Sequence, residues 1–408
     1  MTQAMGIWRA WALVAGMMIG SGILSLPAVL APYGSLSFVA WLETGFGALC
    51  LALCYSYLSA RKPGLGGPYF YVNEAFGPVA AKIVGWGYWI SLWSATTAIA
   101  VSFAGYCSAL LPGVQDSSFY TSLLAIGSIV TFTLINLRGS RDAGTVQLIM
   151  TIIKIIPLLL IGVLGIVYGD VSQIPVTQVQ DRSVLSMISA MCLLIMWAFI
   201  GVESATVPAE DISEPQKTIP RASILGTLTA LVVYMVAMLG VMSLIPMAEL
   251  QQSASPFSDA AQLLLGDFGA LLITLGALFA IGGTLNVTIL MSGSIMLAGA
   301  RDRHFPAVFS KQNRRGTPTQ ALIFSSVLAI TLLLFNSSNA LLKGFEIMLI
   351  ISTFAVLIAY LGTGLASIKL QISDHQQGLQ FNTGRFCIAL LATAFSLLAI
   401  IGAWFLYQ

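Results

Sequence analysis

The chain of 408 residues predicts an all-α polytopic membrane protein of about eleven transmembrane helices, ten of them in two inverted five-helix repeats with helices 1 and 6 discontinuous. Three observations carry this expectation. The chain is 57% hydrophobic and 8% charged, against about 25% charged in soluble domains. Its apolar runs each reach the ~20 residues that a helix needs to cross a bilayer. Two of those runs, at corresponding places in the two halves, are interrupted at mid-membrane by residues that unsettle a helix.

Breaks at polar, Pro and Gly clusters delimit spans near 9–31, 35–58, 80–111, 119–138, 143–168, 184–206, 221–245, 264–299, 318–335, 339–368 and 384–407. The runs over 80–111, 264–299 and 339–368 exceed one crossing and should tilt or extend into water. No room is left for a separate soluble domain, so 1–408 reads as a single transmembrane domain. Spans over 9–168 form the first repeat, 184–368 the second, and 384–407 is an extra terminal helix. Five is odd, so the second repeat enters from the opposite face.

Orientation follows from the connections. With the N-terminus cytoplasmic, fifteen of the eighteen Lys and Arg residues fall inside, from Arg9, Arg61 and Lys62 to Lys369 and Arg385. Arg182 and Lys343 fall outside, and Lys154 lies within the membrane. A multi-pass protein of the plasma (cell inner) membrane is expected. Arg9 is the sole basic residue before the first run and no small-residue cleavage site follows, which predicts a retained span and not a removed signal peptide. The five cysteines stand in apolar runs without metal-ligand spacing and read as small core residues. His304 and His375 are too isolated to hold a metal. With no nucleophile–base pair and no Gly-x-x-x-x-Gly-Lys loop, neither an enzyme, nor a cofactor, nor a nucleic-acid partner is expected.

The first interruption is Met18-Ile19-Gly20-Ser21-Gly22-Ile23. Gly costs about 1 kcal/mol against Ala inside a helix, so this stretch is poised to unwind. The second is Phe199-Ile200-Gly201-Val202-Glu203-Ser204-Ala205. A small-residue packing face would explain the first equally well. Two such interruptions in matching places instead point to a transporter's central site, because freed backbone groups are tolerated in a membrane only where they face a cavity.

Further motifs accompany the breaks: Gly66-Gly67-Pro68-Tyr69-Phe70-Tyr71, Glu74-Ala75-Phe76-Gly77, Trp197-Ala198-Phe199-Ile200-Gly201-Val202-Glu203-Ser204, Ser253-Ala254-Ser255-Pro256-Phe257 and Ala300-Arg301-Asp302-Arg303-His304-Phe305-Pro306. With Ile19-Gly20-Ser21-Gly22-Ile23, this pattern resembles the amino acid–polyamine–organocation transporters over nearly the whole chain. Within that superfamily it is most similar to the basic amino acid/polyamine antiporter branch, which includes arginine/agmatine and putrescine/ornithine antiporters. The resemblance implies a LeuT-like five-plus-five inverted repeat and secondary active transport by alternating access, as an amino acid/amine antiporter. A proton-coupled, sodium-independent symporter of neutral amino acids stays open beside it. Members of the branch usually have twelve spans. Eleven leave the ten-helix core complete and a homodimer built on terminal helices undecided.

The chemistry of the breaks suits a zwitterion. An α-carboxylate would meet the N–H groups freed at Gly20, Ser21 and Gly22 from a half-helix N-terminus. An α-ammonium would meet carbonyls freed around Met17, Met18, Trp197 and Ile200. The resemblance implies substrate-binding roles for Met18, Ile19, Ser21, Gly22, Trp197 and Ile200, and makes Trp197 an occlusion gate. Tyr88 and Trp93 are candidate outer-gate aromatics, with packing the competing role for Trp93. Alignment of the third, eighth and tenth spans adds Thr96, Thr288 and Ser352 as pocket residues. In the arginine/agmatine antiporters an Asn and a Trp match the two threonines. Loss of that aromatic face forgoes ~0.5–2 kcal/mol of cation–π attraction, so the pocket suits a neutral amino acid at least as well as a cationic one.

Charges inside the membrane cost ~2.5–3.5 kcal/mol each on the insertion scale and call for a reason. Glu203 matches the position of a proton-sensing carboxylate in the antiporters, although a carboxyl bracing unwound backbone fits as well. Lys154 has no counterpart in those antiporters. In sodium-driven relatives a metal ion ties span one to span eight near span five, and in several sodium-independent ones a span-five Lys takes that place. Lys154 therefore suggests sodium independence, with protons as the candidate coupling ion and its amine either a titrating proton carrier or a fixed cation. Glu43 in span two and Glu346 near the outer end of span ten are candidates to pair with Lys154 or with each other. The segments 301–304 and 210–217 carry mixed charges that can close an inner gate through ion pairs or serve only as an orientation signal.

Overall fold

The computed structural model describes residues 4–20, 22–110, 118–177, 179, 183–253, 255–336 and 339–406. The helices follow the expected order: α1 (Ile7–Met18), α2 (Gly22–Leu30), α3 (Leu36–Arg61), α4 (Pro68–Phe76), α5 (Pro78–Ala109), α6 (Ser118–Leu137) and α7 (Ser140–Tyr168). The second half holds α8 (Val184–Met196), α9 (Pro215–Leu244), α10 (Met247–Leu250), α11 (Pro256–Arg301), α12 (Thr319–Asn336), α13 (Asn339–Gln376) and α14 (Thr383–Leu406). Among the described residues eight helices are long and apolar enough to cross a membrane, and the bent pair of α1 and α2, taken as one span, makes a ninth. The shorter apolar helices α8 and α12 complete the expected series.

Several boundaries differ from the sequence reading. The expected start of the eighth span near 264 falls at a joint: α11 is two helices merged at Gly266, whose φ of 63° and ψ of −152° are open to glycine, and the stretch from Pro256 to the joint is a short helix ahead of the long one. Pro68–Phe76, in the connection after the second span, is the short helix α4, entered and left through Gly67 (φ 52°) and Gly77 (φ 81°). The tenth span continues to Gln376. The sixth departs most: α8 ends at Met196, a 3-10 turn covers Trp197–Phe199, and no α-helix resumes before Pro215.

The core of the bundle is α11, in which every residue from Ala280 to Ala300 is buried. A helix apolar and covered on all sides belongs at the centre of a bundle. α1 lies beside it with Ala12–Met18 buried. Leu123 and Leu134 of α6, Val163 and Val167 of α7 and Leu397 and Leu398 of α14 are exposed, as lipid-facing residues are. Backbones approach closely where glycine permits. A Cβ on Gly165 would strike the backbone of Gly240, locking α7 to α9, and one on Gly16 would strike Gln147 and Thr151, so α1 lies tight on α7. Among the cysteines, Cys50 and Cys54 are buried as expected, but Cys387 is exposed on α14 and is no core residue.

Candidate functional site

The first break starts where α1 runs out of partners for its last carbonyls. Ile19 N–H still bonds Ala15 O at 2.9 Å, and Gly20 N–H turns back to Met18 O at 2.8 Å. Gly16 O, which a continuing helix would have paired with Gly20 N–H, instead accepts the Lys154 Nζ ammonium at 2.6 Å and lies 3.4 Å from Thr284 Oγ1. The negative end of a helix favours a cation, and the missing side chain of Gly16 lets α7 come near enough to supply one. Lys154 is fully buried. Ala12 O, one turn earlier, accepts from Gln147 Nε2 and Thr151 Oγ1 at 3.3 and 3.4 Å. The network continues through Asn286 Nδ2 to Gln147 Oε1 (3.2 Å) and Asn136 Nδ2 to Asn286 Oδ1 (3.0 Å), tying α1, α7, α11 and α6 together.

The second break is held by an acid. Gly201, at φ 120°, turns the chain after the 3-10 segment. Glu203 is 1% exposed; its Oε1 accepts the Tyr88 hydroxyl at 2.5 Å and its Oε2 the Tyr360 hydroxyl at 2.6 Å. Tyr360 also accepts from Gly201 N–H at 3.0 Å, so one phenol serves both the unwound backbone and the carboxylate. Tyr234 gives its hydroxyl to Ala198 O at 2.9 Å. Freed backbone in a membrane needs such partners.

The two breaks touch. A Cβ on Gly201 would lie 2.5 Å from Met17 Cγ and 3.4 Å from Met18 N. Some of the residues around this junction are exposed. Gly22 and Ser25 of α2 are exposed, Trp197 is 46% exposed, and Ile200 is half-buried. A Cβ on Gly22 would meet nothing within 4 Å.

At the end of the bundle rich in Lys and Arg, the chain is sealed in layers. Ser204, Thr206 and Val207 are fully buried, and Gly66 N–H donates to Val207 O at 2.9 Å. Met5 forms a bridge to Ile212 through Met5 N–H to Asp211 O (2.7 Å) and Ser213 N–H to Met5 O (3.0 Å). Arg301 pairs with Glu210 at 2.7 Å, both partly exposed. Tyr69 OH lies 2.7 Å from Asp302 Oδ2 and 2.7 Å from His304 Nδ1, while Trp86 stacks on Phe305 with centroids 4.4 Å apart. Burial raises the Asp211 carboxyl, beside this closure, to about 6.

Of the residues singled out from sequence, Met18 and Ile19 are buried at the end of α1, Gly22 opens α2, and Trp197 and Ile200 border the second break. Ser21 lies outside the described residues. Thr96, Thr288 and Ser352 are buried and donate to Leu92 O (2.9 Å), Thr284 O (2.7 Å) and Ser91 O (3.0 Å), while Thr288 also lies 3.6 Å from Met17 Sδ. Tyr88, read as an outer-gate aromatic, stands near the start of α5 and points its hydroxyl at Glu203. Glu43 is not a partner of Lys154, for it lies exposed on α3 in a cleft with Cys192 and Phe395. The side chain of Glu346 lies outside the described residues. Sequence reasoning missed Gly16 and Tyr360. Gly16 carries a readable signal, a side-chain-free residue one turn before the break, whereas Tyr360 stands in an apolar run like any packing aromatic.

Two interrupted spans whose breaks touch inside a mostly buried bundle are the mark of a secondary transporter. The chain belongs to the amino acid permease family of the amino acid–polyamine–organocation superfamily, which it matches over residues 5–407. It is 31% identical to a putative arginine/ornithine antiporter of Bacillus subtilis, over 98% of this chain and 92% of the relative. A cadaverine/lysine antiporter of Escherichia coli is 29% identical over 83% of this chain and 77% of its own. A putrescine transporter of Haemophilus influenzae is 29% identical over 95% and 88%.

Proposed function

We propose that this chain is a secondary active antiporter that exchanges an amino acid for a related amine or amino acid by alternating access. The observation that carries the reading is the junction of the breaks. The N-terminus of α2 at Gly22 is open to an anion, while the carbonyl ends of α1 and α8 face the same junction and suit an ammonium. Met18, Ile19, Ser21 and Gly22 would cradle the substrate backbone from one side, and Trp197 and Ile200 from the other, with Trp197 as the gate. Thr96, Thr288 and Ser352 would line the side-chain pocket. The names of the relatives favour a basic amino acid and a diamine as the exchanged pair.

Lys154 would hold the first break without a metal ion, since its ammonium and the Thr284 hydroxyl already converge on Gly16 O. Glu203, tied to Tyr88 and Tyr360, would sense protons. The N-terminus would be cytoplasmic, which places the sealed end inside.

Vesicles test exchange directly. Proteoliposomes preloaded with arginine, ornithine, lysine, putrescine or cadaverine should take up labelled substrate only when a counter-substrate is inside, without sodium. Uptake into empty vesicles driven by a pH gradient alone would overturn exchange in favour of the second reading, proton-coupled symport of neutral amino acids. That reading draws its support from Lys154 and from a lining of hydroxyls without a carboxylate at Thr96, Thr288 and Ser352.

A further inference from the structure

We propose that the cleft between α3, α13 and α14 at the basic end of the bundle binds an anionic phospholipid, its phosphate at Arg385 and Arg61 and its acyl chain along Leu53 and Ile388. The cleft has a volume of about 450 Å³, within the ~300–1,000 Å³ range of ligand sites. Its mouth is cationic. Arg385 is exposed, and its guanidinium carbon sits 5.8 Å from the Tyr57 ring. It takes part in none of the ion pairs among the described residues.

Arg61 holds Asp374 through Nε at 3.0 Å and Nη2 at 2.9 Å, and Tyr57 gives the same carboxylate its hydroxyl at 2.7 Å. The one acid at the site is therefore neutralised, and its remaining charge is that of Arg385. Ser56 and Gln371 add polar groups to the lining.

The deeper wall is apolar. Leu53, Cys54 and Ile388 line it, and Leu390 and Leu391 on α14 continue as exposed, lipid-facing surface. A basic mouth on an apolar floor that opens to the bilayer matches an amphiphile with a phosphate head. A free phosphate would use the mouth and leave the floor empty. The nearby cations are engaged elsewhere, Lys369 over the Phe76 ring and Lys62 on Glu74.

The test uses the delipidated protein in detergent, titrated with dioctanoylphosphatidylglycerol and followed by thermal unfolding. A ligand that binds the folded form raises the midpoint as its concentration passes its Kd. The phosphatidylglycerol should raise it, while dioctanoylphosphatidylcholine and inorganic phosphate should leave it nearly unmoved. Arg385→Gln should weaken the lipid's apparent affinity about tenfold or more, as loss of a charge-assisted phosphate contact does. Leu53→Trp, at a position facing lipid, should fill the floor, abolish the shift and leave the lipid-free midpoint in place. Wild-type lipid affinity in both variants overturns the site. An equal shift with inorganic phosphate overturns the lipid in favour of a soluble anion, and an equal shift with phosphatidylcholine overturns the role of charge.

Discussion

At the first break α1 ends at Met18 and α2 begins at Gly22, whereas after Met196 no α-helix begins before Pro215. The short break is held by a cation, Lys154, on the carbonyl that α1 leaves unpaired. The long one is held by an anion, Glu203, which collects two phenolic hydroxyls, one of them also serving a freed N–H. The signs follow from what each break exposes. A helix that ends offers oxygen and asks for positive charge; a turn built on Gly201 offers a donor and is matched through Tyr360 to an acceptor. The short break is thereby fixed by a charge placed on its backbone, and the long one by phenol hydroxyls that stand between its backbone and a charge.

The sharpest way to break this comparison is Gly22→Val. The structure has space for the new Cβ, so folding and membrane insertion should persist while transport is abolished, because the side chain fills the cradle offered to the carboxylate. Normal uptake by that variant removes the first break from the site. Lys154→Ala comes next. Loss of a charged hydrogen bond of ~1.5–3 kcal/mol should lower transport at least about tenfold or alter its pH profile, and an unchanged profile makes Lys154 a brace alone.

Glu203→Gln should act less on rate than on pH response. The amide keeps one acceptor for a phenol but turns a donor toward the other, so activity should remain measurable with a flattened pH activation; retained activation moves proton sensing elsewhere. Tyr360→Phe separates the two duties of that hydroxyl. It should loosen Gly201, and an effect exceeding that of Tyr88→Phe would show that the backbone contact matters beyond the carboxylate.

The smallest effect concerns the sealed end. The Asp211 carboxyl rises from 3.8 to about 6 through burial, so the folded form holds its proton more tightly than the unfolded one. The stability of this closure then falls as pH rises from 3.8 through about 6 and levels above it. Amide exchange at Met5 and Ser213, corrected for intrinsic rate, should show more protection at pH 5 than at pH 7. Asp211→Asn should remove the difference.

The order of the spans and the existence of both breaks were legible because hydropathy marks length, and Gly20, Gly22 and Gly201 mark where a helix is costly. The start of the second break was misplaced to Phe199, since nothing in Trp197-Ala198 disfavours a helix; the 3-10 turn there is set by the Gly201 turn and the Tyr234 hydroxyl on Ala198 O. Lys154 stood out as a lone charge in span five, but its partner could not be read. The sequence suggests a carboxylate such as Glu43, while the structure supplies a backbone oxygen, which no side-chain pattern encodes. The hydroxyls of Thr96, Thr288 and Ser352 bond carbonyls within the bundle, and Thr96 and Thr288 bond those of their own helix; this is a habit of helical Ser and Thr that residue type alone does not separate from ligand contact.

The glycine seam between α7 and α9 has a mechanical corollary. Gly165 and Gly240 abut with no side chain between them, and α7 grips α1 through an ammonium on Gly16 O. These three rods therefore share one rigid frame. Any rearrangement that tips α1 would have to carry α7 and α9 along as a block or break the Lys154, Gln147 and Thr151 contacts together.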